Sequence, residues 1–313
     1  MTQTAVVAVG GNSLIRSGEK GTIAEQLANA RRTAEAIVQI IRLGFHVVVT
    51  HGNGPQVGAA LLRSERSADH VYPHPLDVCN ATTQGEIGYL LQQSLQGALA
   101  DAGLNMPVAT VLTQVVVSPT DPAMERPTKP IGPFYSAREA EIRHQQFGWH
   151  SVEDASRGYR RVVPSPEPIE IIEEGVIRRL TDTGVLVVAV GGGGIPVVRV
   201  GRGLRGVEAV IDKDRASALL ASQLRSDLFI ISTDAERVCL NYKTADQRPL
   251  GRVTADDLAR YHAEGHFPPG NMGPKVESAL RFLRNGGQEV IITSCQRLLD
   301  AVRGDAGTHI VRG

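Results

Sequence analysis

Residues 5–12, AVVAVGGN, and residues 45–54, FHVVVTHGNG, decide the fold class. Each is a near-continuous apolar, β-branched run that ends in glycine and a small polar residue. A half-exposed strand alternates polar and apolar side chains, whereas a run apolar throughout suits a parallel strand covered on both faces. Between the two runs, Ile23, Leu27, Ala30, Ala34, Ile37 and Ile41 fall on one face of a helix expected over residues 22–43, with Gly44 placed to stop it. Strand, helix, strand is the unit of an open doubly wound sheet. Similar apolar runs return in VLVVAVGGGG, residues 185–194, which ends in glycine, and LFIISTD, residues 228–234, which ends in small polar residues. Further helices are expected over 76–102, 167–183, 214–224, 272–285 and 296–303.

A chain of 313 residues has room for one large α/β domain with an added lobe. Such a chain buries roughly three quarters of its unfolded surface and needs neither a disulfide nor a metal to hold together. Lys plus Arg and Asp plus Glu each total 33, so no overall field draws the molecule to nucleic acid or to a membrane, and neither is expected as a partner. Cys79, Cys239 and Cys295 are widely spaced without a CxxC pair, and His74, His144 and His150 lack metal-ligand spacing. The first residues show no basic segment leading into a long apolar one, and no run of about 18 apolar residues occurs. A protein of the reducing cytoplasm is expected.

Residues 118–166 break the rhythm. They are rich in Pro, Arg and aromatic residues and have no clear strand–helix alternation. A long insertion in a compact domain is expected to be a functional lid or small subdomain.

In open α/β sheets, ligands bind beyond the carboxyl ends of the strands, where helix N-termini expose N–H groups to anions. The segments Gly10–Gly11–Asn12, His51 to Pro55 and Gly191 to Pro196 all fall at that edge, where glycine lets backbone amides approach a phosphate. None fits GxGxxG, and GxxxxGK[ST] is absent, so phosphate charge must be met by cations from elsewhere. Three lysines stand in glycine- or proline-framed contexts: Lys129 in RPTKPIGPFY, Lys213 between Asp212 and Asp214, and Lys275 in GNMGPKVESALRFL. Lys213 and Lys275 occupy helix starts, where a cation opposes the helix dipole unless an anion is bound. Glycine cradles with separated lysines suit phosphoryl transfer, which needs alignment and charge neutralisation more than covalent participation. Asp212 is open to three readings: it holds the turn, contacts magnesium through water, or caps the following helix.

These segments carry a family likeness over essentially the whole chain. AVGGNSL, VVVTHGNGPQVG, PTKPIGPFY, VVAVGGGGIPVV, VEAVIDKDRASALLA, ISTDAERVCLNY and GNMGPKVESALRFL resemble, in order and approximate spacing, the carbamate kinase branch of the amino acid kinase family. The resemblance implies a single domain over residues 1–313, with residues 118–166 as a small protruding lid subdomain. Its fold would be a three-layer αβα sandwich around an open, mostly parallel sheet of about eight strands, and the assembly a homodimer. It implies reversible phosphoryl transfer between ATP and carbamate, used to make ATP from carbamoyl phosphate and ADP, with arginine metabolism as one supply. Lys213 and Lys275 would surround the transferred group, Asp214 would orient them, and Lys129 would reach the carbamoyl phosphate from the insert. Gly10, Gly11, Asn12, Gly52, Asn53, Gly192 and Gly193 match the phosphate- and substrate-binding loops. Asp234, Met272, Gly273 and Pro274 match the nucleotide side. No protein metal ligand is implied, because magnesium would be held mainly by the nucleotide phosphates. Many members of the wider family carry a lysine two residues before the paired glycines; Ala8 stands there in this chain, and Lys213 would supply the comparable charge. The loop after Asp234, Ala235 to Cys239, departs from the branch's usual VDxVY. Two other functions share most of these features: a kinase of the same fold acting on another small carboxylate, and a non-catalytic nucleotide or metabolite sensor.

Overall fold

The computed structural model describes residues 3–16, 18–153, 158–268, 270 and 272–313 of the chain. Eight strands form the central sheet: β1 (Thr4–Val9), β2 (His46–His51), β3 (Val108–Thr110), β4 (Leu186–Val188), β5 (Leu228–Thr233), β6 (Arg252–Thr254), β7 (Glu289–Ser294) and β8 (Thr308–Val311). Their order across the sheet is β6-β8-β7-β5-β1-β2-β4-β3. Neighbours run parallel except β7 and β8, which are antiparallel.

The apolar runs explain the layering. Ala5, Val7 and Val9 of β1 point into one core with Val47 and Val49 of β2, while Val6, Ala8 and Val48 point into another. The first core is closed by α1 (Ile23–Arg42), α3 (Leu76–Asp101) and α9 (Leu298–Arg303), which contribute Ala34, Ile37, Leu91, Leu95 and Leu298. The second is closed by α5 (Glu174–Asp182), α6 (Lys213–Leu224), α7 (Ala255–Ala263) and α8 (Met272–Arg284), where Phe282 meets Phe229 with ring centroids 5.5 Å apart. Each large apolar side chain buried in this way contributes about 1.5–3 kcal/mol, so strands apolar on both faces demand helices on both faces. The result is a three-layer αβα sandwich around a mostly parallel eight-stranded sheet.

Helix α1 starts where a capping box closes it: Glu25 donates its N–H to Thr22 Oγ1 while its carboxylate accepts the Thr22 N–H. Gly44, with φ +96°, ends it. The helix expected over 167–183 is corrected: Pro168–Ile171 is a strand, and the helix begins only at Glu174. Tertiary pairing decides this segment, since Ile171 sits opposite Val115 on Gln114–Val117. Helix α2 (Gly54–Arg66) has a poor local signature, because it opens on Gly-Pro directly after a glycine-rich turn. Proline is nevertheless tolerated in a first turn, where its missing N–H has no intrahelical partner.

A second, four-stranded sheet has the order Gly203–Gly206, Ile195–Val200, Gln114–Val117, Pro168–Ile171. The insert leaves the body through Gln114–Val117 and returns through its antiparallel neighbour Pro168–Ile171. Between them lie α4 (Ala137–Phe147) and a three-stranded antiparallel sheet in the order Lys129–Tyr135, Tyr159–Val163, His150–Glu153. The strands escaped sequence reading because Lys129–Tyr135 carries two prolines and Gly132 at φ +75°. Trp149 packs inside this lobe beside Tyr135.

The lobe rests on α2 through a close backbone approach. A Cβ on Gly58 would lie 2.2 Å from the Cα of Gly132, so only glycine at 58 allows the contact, while Gly132 is favoured by its φ of +75°.

Candidate active site

The strand ends and the insert enclose a cleft of about 250 Å³. Gly10 and Gly11 follow β1, Gly52 and Asn53 follow β2, and Gly192 follows β4. Lys129 enters from the insert, Asp212, Lys213 and Asp214 from the start of α6, and Pro274 and Lys275 from the first turn of α8.

The three lysines and two aspartates form two connected arrangements. Asp214 is held between two ammonium groups, with Lys213 Nζ 2.7 Å from one carboxylate oxygen and Lys275 Nζ 3.0 Å from the other. Lys213 Nζ also lies 3.4 Å from the carbonyl oxygen of Ala8. Lys129 Nζ is 2.7 Å from Asp212 Oδ2. The other oxygen of Asp212 accepts the backbone N–H groups of Asp214 and Arg215, at 2.9 and 3.4 Å. Asp212 is therefore the N-cap of α6 and the anchor for Lys129 at once, one of the three roles left open by the sequence together with one it did not suggest.

Burial sets the protonation of this cluster. For Asp214, burial alone would raise the carboxyl, but Lys213 and then Lys275 outweigh it and hold the group well below the ordinary aspartate range. Burial also lowers Lys213, and there it prevails over the attraction of Asp214, with Lys275 adding repulsion. In Lys275 burial again acts downward, but Asp214 carries the ammonium above its usual value, and Asp234 adds to that pull. Lys213 and Lys275 share the one buried carboxylate of Asp214, while the more exposed Lys129 pairs with Asp212. Burying two ammonium groups against one carboxylate is costly unless an anion completes the set.

The glycine loops are held by a polar layer that the sequence reading missed. Asn53 donates from its side-chain amide to Asn80 Oδ1 at 3.1 Å and to Thr83 Oγ1 at 2.9 Å. That side chain makes no cap on α2, so the helix N-terminus, with its positive dipole end, opens on the cleft. Gln84 donates to the carbonyls of Gly191 and Thr113 and accepts the Thr113 N–H. Gly192 has φ +66°, and a Cβ there would fall 2.3 Å from the Asn53 amide nitrogen. The available signal was the spacing of Asn80, Thr83 and Gln84, which puts three polar residues on one face of a largely apolar helix.

Other expected residues take different places. Gly193 lies behind the cleft against the carbonyl of Ile211. Met272 packs on the core of the second face, and Gly273 donates its N–H to the Pro268 carbonyl at 2.9 Å. Asp234 follows β5 at the sheet edge. The Asn12 side chain lies outside the described residues. His51 is buried, and burial presses its pKa down to about 4, so it is neutral at working pH; its Nδ1 lies 3.1 Å from the Gly52 carbonyl oxygen.

Among the described residues no three His, Cys, Asp or Glu side chains converge as a metal site. Both cleft aspartates are engaged by lysine. These donors do not make a resident magnesium cage, and they suit a metal that arrives with nucleotide phosphates.

Glycine loops, helix N-termini and lysines around a small cleft at the carboxyl ends of parallel strands define a phosphotransferase site. The amino acid kinase family profile matches residues 3–294, and the chain belongs to that family. The carbamate kinase of Thermococcus kodakarensis is 48% identical over 311 residues, 98% of each chain. The Escherichia coli carbamate kinase-like protein YahI is 45% identical over 316 residues, all of both chains. The structure of the Giardia lamblia carbamate kinase bound to AMP-PNP superposes with a TM-score of 0.94 at 42% identity, over 100% of this chain and 99% of that one. An N-acetylglutamate synthase of Neisseria gonorrhoeae, 15% identical with a TM-score of 0.58, shares the fold alone.

Proposed function

We propose that the chain is a carbamate kinase, moving a phosphoryl group reversibly between ATP and carbamate and working in the cell from carbamoyl phosphate and ADP towards ATP. The observation that carries this reading is Asp214 clamped between Lys213 and Lys275, with Lys129 lining the same cleft of about 250 Å³. That volume is below the roughly 300–1,000 Å³ of a drug-sized pocket and suits a small acceptor beside a phosphate.

In the ATP-forming direction an ADP β-phosphate oxygen attacks the phosphorus of carbamoyl phosphate. The bond from phosphorus to the carbamate oxygen breaks, and carbamate leaves with that electron pair. Negative charge spreads over the moving group, and the ammonium groups of Lys213 and Lys275 neutralise it in a setting of low solvent access. Asp214 favours the charged form of both lysines and fixes their ammonium positions before substrate arrives, so little reorganisation is needed at reaction. Lys129 meets the carbamoyl phosphate from the insert, which acts as a lid. Backbone amides at Gly10, Gly11, Gly52 and Gly192 and the start of α2 hold phosphate oxygens. Asp234 and the 272–274 turn border the nucleotide. Magnesium would arrive with the nucleotide rather than on this chain's carboxylates, and would supply charge neutralisation at the phosphates.

The reading includes a homodimer in the cytoplasm, fed in part by arginine breakdown. Full-length similarity supports the carbamate kinase part of it; Cys79, Cys239 and Cys295 are free, and among the described residues no helix is long and apolar enough to cross a membrane. Purified protein given ADP, magnesium and carbamoyl phosphate is expected to form ATP. A folded sample that binds nucleotide without turnover refutes the reaction, and a monomer in sedimentation removes the dimer.

A further inference from the structure

Behind the cleft, the insert makes a second charged contact with the body. Arg161 lies on the strand Tyr159–Val163, directly opposite Ile131, while Lys129 pairs with Val163 two positions along the same ladder. Its guanidinium stacks 4.4 Å from the Trp149 ring centroid, which holds the group at its root within the insert. From there Nη1 lies 3.8 Å from Glu65 and Nη2 3.6 Å from Glu208. Glu65 is on α2, whose N-terminus opens on the cleft, and Glu208 lies four residues before Asp212. The second carboxylate oxygen of Glu208 accepts the Leu76 N–H at 2.8 Å, so this partner is itself tied to the start of α3.

Both acidic partners of Arg161 thus sit on the two segments that carry the site, and Arg161 is only 16% exposed. We propose that Arg161 is the positioning residue that seats the insert on α2 and on the loop before Asp212, and so sets the reach of Lys129 into the cleft. A planar guanidinium does what an ammonium group does not: it stacks on an indole and spans two separate carboxylates. Charge neutralisation alone would not require that geometry.

The inference rests on the carbamate kinase reading for its kinetic arm only. In the full chain, Arg161→Met is expected to speed amide exchange of residues 129–135 and 159–163 about tenfold while β1 and β2 keep their protection. It should lower kcat/KM for carbamoyl phosphate by about tenfold or more and leave KM for ADP within about twofold. Arg161→Lys should restore part of both effects. Unchanged exchange in the insert overturns the proposal, and so does an equal loss on the ADP and carbamoyl phosphate sides, which marks general damage. A wild type inactive with carbamoyl phosphate refutes the reaction, and the exchange arm then decides the role of Arg161 by itself. Should Arg161→Met not fold, Glu208→Gln carries the same comparison, and unaltered insert exchange in that variant overturns the proposal.

Discussion

Two lysine–aspartate contacts in this molecule have the same length and opposite character. Lys213 to Asp214 and Lys129 to Asp212 are both 2.7 Å, yet the Lys213 side chain is 10% exposed and that of Lys129 is 41% exposed. The first is built into the sandwich, shares its carboxylate with Lys275 and touches the end of β1. The second joins the body to a lobe that rests on α2 through a glycine pair and Arg161. Breaking a buried pair by removing one partner costs about 3–5 kcal/mol, whereas an exposed pair is worth about 0–1 kcal/mol. Distance therefore says little about the role of either contact. Burial makes one a fixed charge and lets the other open.

The largest expected effect tests the buried side. Lys213→Ala should lower kcat by about a thousandfold and Lys275→Ala by about a hundredfold, since each removes charge aimed at the moving phosphoryl group. Near-normal turnover in either variant would sink the assignment. Asp214→Ala leaves two buried ammonium groups facing each other and is expected to cost about 3–5 kcal/mol in denaturant unfolding; a loss below about 1 kcal/mol would show that the cluster relaxes easily. Lys129→Ala sharpens the contrast, with kcat/KM for carbamoyl phosphate down about a hundredfold and stability altered by less than about 0.5 kcal/mol. A large stability loss there would place Lys129 with the buried set.

Gly58→Val is next, because its side chain would collide with Gly132 and lift the insert from α2. About a tenfold drop in kcat/KM for carbamoyl phosphate is expected with ADP binding kept, and an unchanged ratio would separate the insert's seat from its function.

The smallest effect is a pH dependence at the back of the insert. Burial raises Glu65 from 4.5 to about 7, with Arg161 and Arg143 pulling the other way. The folded state therefore holds this proton more tightly than the unfolded chain, and stability falls as pH rises from about 4.5 through about 7. The group is partly open to solvent, so screening keeps the effect to about 1 kcal/mol or less. Thermal unfolding of Glu65→Gln against wild type should shift in favour of the variant between pH 5 and 7 and level off above about 8. A difference independent of pH removes Glu65 as the titrating group.

Much of the sandwich was legible because apolar runs covered on both faces, ended by glycine or a small polar residue, are local patterns. Lys129 and Lys275 were legible from their glycine and proline settings, and Lys213 from its place between two aspartates after an apolar run. Asp212 was not, since its cap is local but its bond to Lys129 spans 83 residues. Asn80, Thr83 and Gln84 were hidden inside a correctly placed helix, because periodicity marks which residues share a face but not what that face meets. The strands of the insert were hidden by prolines and by a glycine whose conformation serves packing on α2.

By itself the sequence determined a parallel, doubly covered sheet, glycine-rich turns at its carboxyl edge and the lysines that meet there, because hydrophobic period, glycine and charge act over a few residues. Tertiary structure alone decided that Asp214 is shared by two lysines, that Asp212 both caps α6 and anchors Lys129, and that Arg161 seats the insert. Each of those depends on contacts between segments tens of residues apart or more, and on burial, which converts the same pair of opposite charges from a solvated contact into a preset field.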